Sequence, residues 1–219
     1  MHISEGFLSA PVLGVGIVLA AAGTSVGLKK LKEDKIPQAA ILSASFFVAS
    51  LIHVPMGPSS VHLILNGILG LMLGWVAFPA ILIALLLQGV LFQFGGITTL
   101  GVNTIIMATP AVLCYYLFAG FVHKPGVLSH AACFACGFLS VFFSSLLVGT
   151  ALMFTQESFL EVAWAVVIAH VPVMFIEGLV AIFCMGFLKK VQPELLPKWP
   201  AAQQQAALDN RAKMVEKQV

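Results

Sequence analysis

Long apolar runs divide the chain into segments of membrane-spanning length, separated by short polar or Gly/Pro-containing connections. The runs cover residues 7–28, 38–54, 60–74, 77–94, 101–122, 127–155 and 159–188. A run of roughly 20 apolar residues crosses the hydrocarbon core of a bilayer, about 30 Å thick, as an α-helix. The pattern therefore predicts an all-α polytopic membrane protein with about seven transmembrane helices.

Two of these runs, 60–74 and 77–94, are short and meet at the sequence Gly74-Trp75-Val76-Ala77-Phe78-Pro79. They form either one broken hairpin or two steep helices, and the count of seven depends on them. The run 127–155 is longer than a bilayer is thick, so we expect it to be tilted or partly outside the membrane.

Composition supports a lipid rather than an aqueous environment. Of the 219 residues, 60% are hydrophobic and 9% are charged, and the mean hydropathy is +1.03. Soluble domains carry roughly 25% charged residues. The net charge of +2 is too small to indicate a nucleic-acid partner. The first residues lack the basic region of a signal peptide, so the first run is predicted to be a permanent span.

Basic residues occupy only every second connection. All 11 follow the first, fifth or last run: Lys29, Lys30, Lys32, Lys35, Lys124, Lys189, Lys190, Lys198, Arg211, Lys213 and Lys217. The intervening connections 55–60, 95–100 and 156–158 contain none. The positive-inside rule then places the N-terminus outside and the C-terminus in the cytoplasm of a multi-pass cell inner (plasma) membrane protein. Residues 1–190 are predicted to form one transmembrane domain and residues 191–219 a cytoplasmic tail.

Ionisable groups within the spans are hypotheses of function, because they are costly in a bilayer unless they are satisfied. His53 and His62 flank the outer loop, where His53 is expected to lie at the membrane interface or to support a site rather than to bind the metal itself. His170 and Glu177 are seven residues apart and share a helical face, which favours a buried hydrogen-bonded pair or a helix–helix contact.

The sequence Cys133-x-x-Cys136 has the spacing of a metal or redox motif. It lies inside an apolar run, and no second Cys or His pair at matching spacing accompanies it. Two small core residues are therefore the favoured interpretation.

The N-terminus offers a chelating group of its own. A retained Met1 leaves a free α-amine, and that amine, the backbone nitrogen of His2 and the His2 imidazole close two fused rings on one metal ion. One further imidazole completes a square-planar site of four nitrogens, a geometry suited to Ni(II) or Cu(II). His62 is the best-placed fourth ligand because it lies on the same outer side. The alternative is that Met-His is a chance dipeptide.

Three segments resemble those of a known family. Met1-His2-Ile3-Ser4-Glu5-Gly6 resembles the M-H-I-x-[DE]-G start of the substrate-binding (S) subunits of energy-coupling-factor cobalt and nickel importers, the CbiM/NikM family. Residues 54–62 are similar to its Pro- and Gly-containing loop that ends in His, and residues 94–108 to its G-G-x-x-x-L-G-x-N-x-x-x-M-[AG] loop. The resemblance extends over roughly residues 1–190.

The resemblance implies that Met1, His2 and His62 are metal ligands. It also implies that Glu5 and Gly6 shape the turn that delivers the N-terminus and that the loop around Asn103 closes over the site. The transported substrate is then Co²⁺ or Ni²⁺, with no organic cofactor. Cobalt is the first expectation, although Pro58-Ser59-Ser60-Val61-His62-Leu63 stands where cobalt-type members often carry S-C-S-H-P-T-G.

The implied partners are a transmembrane coupling (T) subunit, two ATPase subunits and a small accessory membrane subunit, within the lipid bilayer. The chain contains no G-x-x-x-x-G-K-[ST] motif, which fits a transport subunit that is not itself an enzyme. Two alternatives remain open. One is a haem-binding membrane redox subunit with axial ligands among His53, His62 and His170, and the other is a proton-coupled carrier that uses His170 and Glu177.

Overall fold

The structure is a computed structural model that describes residues 2–51, 53–56, 59–156 and 159–196, without the side chains of residues 53–56 and 59–61. Met1 and the part of the predicted tail beyond residue 196 therefore lie outside the described residues.

The described residues contain seven α-helices and one short β-hairpin. The helices are α1 Ala10–Lys30, α2 Ile36–Leu51, α3 Asn66–Leu73, α4 Ala77–Phe92, α5 Leu100–Val122, α6 Val127–Met153 and α7 Leu160–Val191, and the strands are β1 His53–Met56 and β2 Ser59–His62. Five helical stretches in this part of the chain are long and apolar enough to cross a membrane: α1, α5, α6, α7, and α3 with α4 taken together. The prediction of an all-α polytopic membrane protein is confirmed, with the two short strands as an addition.

α3 runs beside α5 in the same direction. The Asn66 side chain donates a hydrogen bond to the Met107 carbonyl at 3.1 Å. One turn later, a Cβ atom at Gly70 would lie 2.0 Å from the Ala111 carbonyl oxygen, so only glycine permits this close approach. α3 ends at Gly74, whose φ of +54° turns the chain sharply.

α4 runs beside α2, also in the same direction. Near the start of α4 the Ser43 hydroxyl donates to the Ala80 carbonyl at 2.7 Å, and near its end the Gln88 side chain donates to the Phe47 carbonyl at 3.1 Å. α2 and α5 run in opposite directions through the bundle, so α4 reverses the direction of α3. The two short runs are therefore a broken hairpin joined by a 3₁₀ turn at Gly74–Val76.

The basic residues of the described chain gather at one end of the bundle, which we call the basic end. There the Gln38 side chain near the start of α2 donates to the Leu195 carbonyl at 3.0 Å, and Lys189 near the end of α7 donates to Ser129 at the start of α6. At the opposite end, which we call the N-terminal end, the Ser9 backbone N–H donates to Thr155 at 3.3 Å. The chain thus alternates between the two ends as the charge pattern predicts.

α1 packs through small residues and turns its large apolar side chains outward. Its buried residues are Gly16, Ala20, Gly23 and Gly27, while side chains such as Val18 are exposed. Small residues at a spacing of about four let membrane helices approach closely. The cysteine pair also has the predicted core environment, because Cys133 and Cys136 are free thiols buried in an apolar cluster with Leu71.

Candidate metal centre

Two imidazoles from distant parts of the chain meet at the N-terminal end of the bundle. His2 belongs to the segment before α1, and His62 ends β2. Their side chains are only 2% and 3% exposed. His2 Nδ1 lies 3.0 Å from His62 Nε2. The structure thus brings together two of the residues that the sequence singles out.

The N-terminal segment is held in place by Asn103, in the first turn of α5. Asn103 Oδ1 accepts the backbone N–H of Ile3 at 2.9 Å, and Asn103 Nδ2 donates to the Ile3 carbonyl at 3.0 Å. One amide side chain therefore satisfies both backbone groups of a fully buried residue, as a neighbouring β-strand would. Asn103 Nδ2 also donates to Thr99 Oγ1 at 3.2 Å, which fixes the amide.

The tautomer of His2 follows from its neighbour Gln88. His2 Nε2 lies 2.9 Å from Gln88 Oε1. The amide nitrogen of Gln88 donates to the Phe47 carbonyl and to the Ser50 hydroxyl, both on α2, so its oxygen is left to accept. His2 Nε2 therefore donates, and the lone pair of the neutral ring lies on Nδ1.

The tautomer of His62 follows in the same way. His62 Nδ1 lies 2.8 Å from the Leu63 carbonyl oxygen and must donate to it, because a carbonyl only accepts. The lone pair of His62 is then on Nε2. With these tautomers the two lone pairs face each other across 3.0 Å, and either a shared proton or a bound metal ion between the rings makes this arrangement favourable. Two nitrogens bound at right angles to one ion at about 2.1 Å are about 3.0 Å apart, so the pair has the separation of adjacent ligands.

An aromatic ring and a glycine loop cover the imidazoles. The Phe94 ring centroid is 4.1 Å from that of His2 and 5.8 Å from that of His62. Gly95 has a φ of +88°, and a Cβ atom there would lie 3.2 Å from His2 Cδ2. A Cβ atom at Gly96 would lie 2.0 Å from Glu5 Cγ. The loop between α4 and α5 therefore needs both glycines to lie so close to the N-terminal segment.

Glu5 joins the N-terminal segment to the same loop. Glu5 Oε1 accepts the Thr98 backbone N–H at 3.1 Å. This hydrogen bond, followed by one from the Ile97 backbone, holds the pKa of the Glu5 carboxyl below its ordinary value. Gly6 has a φ of +84°, which shapes the turn between this segment and α1.

The other polar candidates lie in different surroundings. The strand register pairs His53 with His62, while the His53 side chain lies outside the described residues. His170 Nδ1 lies 2.7 Å from the Val166 carbonyl oxygen of its own helix. Glu177 joins α7 to the segment before α3, because Glu177 Oε1 accepts the backbone N–H of Leu65 at 2.8 Å. Glu177 thus makes a contact between elements of the kind that the sequence suggests.

Gln88 and Phe94 are part of the site but were not among the sequence candidates. Gln88 is the only polar residue of α4, which is the signal that points to it, because a lone amide in an apolar helix needs a partner. Across the part of the chain that the structure describes, no group of three or more His, Cys, Asp or Glu side chains is arranged to hold a metal ion. Among the described residues, no third side chain of these four types thus joins the imidazole pair.

The fold and this site define a polytopic α-helical membrane protein with a buried imidazole pair near one face. Residues 2–195 match the family described as "Cobalt uptake substrate-specific transmembrane region", CbiM. The chain belongs to the CbiM family, the substrate-binding membrane subunits of the CbiM/NikM type. It is a membrane component of cobalt or nickel transport.

Individual relatives agree with this assignment. A putative metal transport protein of Haemophilus influenzae is 43% identical over 90% of this chain and 97% of its own length. The putative fused cobalt transport protein CbiMQ of Methanocorpusculum labreanum is 28% identical over 89% of this chain and 36% of its own. The fused nickel transport protein NikMN of Rhodobacter capsulatus is 36% identical over 49% of this chain and 33% of its own.

A crystal structure of a transition metal transporter has the same fold. It superimposes with a TM-score of 0.79 at 26% sequence identity, over 87% of this chain and 93% of that one.

Proposed function

We propose that this chain is the substrate-binding (S) subunit of an ATP-driven importer of the energy-coupling-factor type. It binds a divalent Co²⁺ or Ni²⁺ ion through the Met1 amine, the backbone nitrogen of His2, the His2 imidazole and the His62 imidazole. The observation that carries the proposal is the approach of two buried ring nitrogens, His2 Nδ1 and His62 Nε2, to 3.0 Å.

The ring nitrogen that faces His62 is the one that a terminal chelate requires. A metal bound to the His2 backbone nitrogen closes a six-membered ring through Cα, Cβ, Cγ and Nδ1, whereas Nε2 points away from it. Gln88 contacts Nε2, so Nδ1 is the ring nitrogen that faces His62. Partners of this kind fix the tautomer and orientation of metal-binding imidazoles. The hydrogen bonds of His2 and its place in the chain thus favour the same coordination.

The charge distribution supports entry of the ion from the N-terminal end. The connections at that end carry no Lys or Arg, and the carboxylates of Glu5 and Glu161 are exposed there. A surface without basic residues does not repel an approaching cation. The ion then passes inward with the help of partner subunits at the basic end.

The proposed partners are a transmembrane coupling subunit, two ATPase subunits and a small accessory membrane subunit. One matched relative is named as a fusion of CbiM with CbiQ, which supports a membrane partner beside this chain. Co-purification of this chain with all four partner subunits as one complex tests this composition. If the chain drives metal uptake in proteoliposomes without ATP or the ATPases, the proposed energy source is wrong.

Cobalt is the first choice of metal and nickel the alternative, and matched relatives bear both names. A site of four nitrogens binds Ni²⁺ more tightly than Co²⁺, so a preference for cobalt would rest on geometry and kinetics. Uptake of radioactive Co²⁺ and Ni²⁺ in competition by the complete importer decides between them. The haem alternative needs two of His53, His62 and His170 to face each other, whereas His62 faces His2.

The test of the binding site is metal analysis of the purified chain with its native N-terminus. One Co²⁺ or Ni²⁺ per chain is expected, and anomalous scattering should place it between His2 and His62. A metal peak elsewhere, or a protein that binds neither ion, would overturn the proposal.

A further inference from the structure

The peptide group that joins Leu63 to Ile64, one residue after His62, makes hydrogen bonds through both its carbonyl and its N–H. Its carbonyl, from Leu63, accepts His62 Nδ1–H at 2.8 Å. Its N–H, from Ile64, donates to Glu177 Oε1. A carboxylate on α7 is thus connected to the imidazole of His62 through a single peptide unit.

The buried carboxylate of Glu177 makes its hydrogen bonds to the backbone of this segment. Glu177 and Ile64 are fully buried, and Glu177 Oε1 also accepts the Leu65 backbone N–H at 2.8 Å. Within the described residues, Glu177 Oε2 has no hydrogen-bond partner. A carboxylate inside a membrane bundle is costly unless its contacts repay the loss of water. The hydrogen bonds of buried Glu177 fix the position of the chain that follows His62.

The backbone of that segment has a shape that it does not readily adopt alone. Leu65 has a φ of +59° and a ψ of 10°, the left-handed region that residues other than Gly, Asn and Asp rarely occupy. The N–H groups of Ile64 and Leu65, which lie directly before this turn, both point at Glu177 Oε1. Glu177 therefore holds a strained turn between the imidazole and α3.

We propose that Glu177 is a positioning residue for the metal ligand His62, acting through the Leu63–Ile64 peptide group. Metal-binding histidines commonly donate their second N–H to a carboxylate or a carbonyl, which fixes the ring and raises its basicity. Here the two partners act one behind the other. The Leu63 carbonyl orients the His62 ring, and the Glu177 carboxylate orients the peptide group that contains this carbonyl. This inference rests on the proposed function, since it assumes that His62 binds the ion.

The experiment compares Glu177→Ala and Glu177→Gln with the wild type in the full-length chain with its native N-terminus. Ni²⁺ affinity is measured by titration, the ligand-field spectrum of the bound ion is recorded, and the melting temperature of the metal-free protein is followed. Loss of such a partner lowers metal affinity about 10- to 100-fold, and we expect this for E177A together with a changed spectrum. The amide oxygen of E177Q accepts the same two N–H groups, so that variant should recover most of the affinity and the wild-type spectrum.

The matched control is Glu194→Ala, which removes an exposed carboxylate just beyond the end of the same helix, at the basic end, and should leave binding unchanged. Wild-type affinity in E177A would overturn the inference, even if transport were lost, because Glu177 would then act on the ion's path and not on His62. Equal loss in E177Q and E177A would also overturn it, because the charge and not the position of the peptide would matter. A wild-type protein that binds no metal would instead refute the proposed function.

Discussion

The two ends of the bundle differ in how deeply their polar and charged side chains are buried. At the N-terminal end, His2, His62, Gln88 and Asn103 are buried and bonded to one another or to backbone groups. At the basic end the charges lie near the surface, as with Lys30, whose Nζ lies 5.4 Å from the Trp75 ring centroid. The burial of a polar group costs free energy unless hydrogen bonds satisfy it. The contrast supports the proposal that the metal binds at the N-terminal end.

Two buried glutamines make the contrast specific. Gln38, at the basic end, accepts from Lys35 Nζ at 2.9 Å and donates to the Leu195 carbonyl at 3.0 Å. Gln88, at the N-terminal end, donates to α2 and directs its oxygen at His2. The same residue type joins structural elements at one end and sets the tautomer of a candidate ligand at the other.

Removal of an imidazole should have the largest effect. His2→Ala or His62→Ala takes away a direct ligand, so Ni²⁺ or Co²⁺ affinity should fall by more than the roughly 100-fold that marks the loss of an outer partner. Isothermal titration of the purified chain measures it. His130→Ala, an exposed imidazole at the basic end, is the control and should bind as wild type. Strong residual binding by both single variants would mean that the imidazole pair is not the site.

The glutamine pair should give the next largest effect. Gln88→Leu frees His2 Nε2 from its acceptor, so the ring no longer has a fixed tautomer, and metal affinity should fall about 10- to 100-fold. Gln38→Leu should lower the melting temperature while leaving metal affinity unchanged. Titrations and melting curves on both variants separate these outcomes. If Gln88→Leu and Gln38→Leu lost metal affinity equally, the two glutamines would not differ in role and the contrast between the two ends would be wrong.

Asn103→Ala should weaken binding less, by roughly tenfold. The variant loses two hydrogen bonds to Ile3, each with a net value of about 0.5–1.5 kcal/mol, but it removes no ligand. The dissociation rate of the bound ion should rise, because the N-terminal segment is no longer tied to α5. Thr99→Val, which leaves both Ile3 bonds in place, is the comparison. If N103A released the ion as slowly as the wild type does, the hydrogen bonds between Asn103 and Ile3 would have no part in holding the ion.

The smallest effect is expected from Glu5→Gln at the surface of the loop. The folded-state pKa of Glu5 is lowered, so its contribution to stability is present above the ordinary pKa of 4.5 and is lost as the pH falls through the lowered value. Melting temperatures of the metal-free wild type and E5Q should therefore differ slightly near pH 7 and converge in acid. A difference that grows towards low pH would contradict this assignment.

The sequence predicts the helices well where apolar runs are continuous, and less well where polar contacts interrupt them. The run 127–155 corresponds closely to α6, Val127–Met153. The run 60–74 contains only the short α3 because Ser59–His62 pairs with β1. Hydropathy does not show that the segment Ser59–His62, which ends in His62, is extended.

The candidate site was predictable only in part, for a similar reason. His2 and His62 are visible because Met-His at a chain start and a histidine on the same outer side suggest metal chemistry. The partner of Glu177 is hidden, because its spacing from His170 suggests a contact on one face of a helix, whereas the Ile64 N–H that it accepts is 113 positions away. Gln88 is hidden likewise, since a sequence does not show which neighbour a lone amide faces.

The most direct test of the central claim is a comparison of Ni²⁺ and Co²⁺ binding by two proteins that differ by one residue before Met1. The native chain should bind one ion, with an affinity that falls as the pH drops below about 8 and the α-amine takes up a proton. The extended chain has an amide where the amine was, so high-affinity binding should be lost. Normal binding and import by the extended chain would contradict the N-terminal chelate.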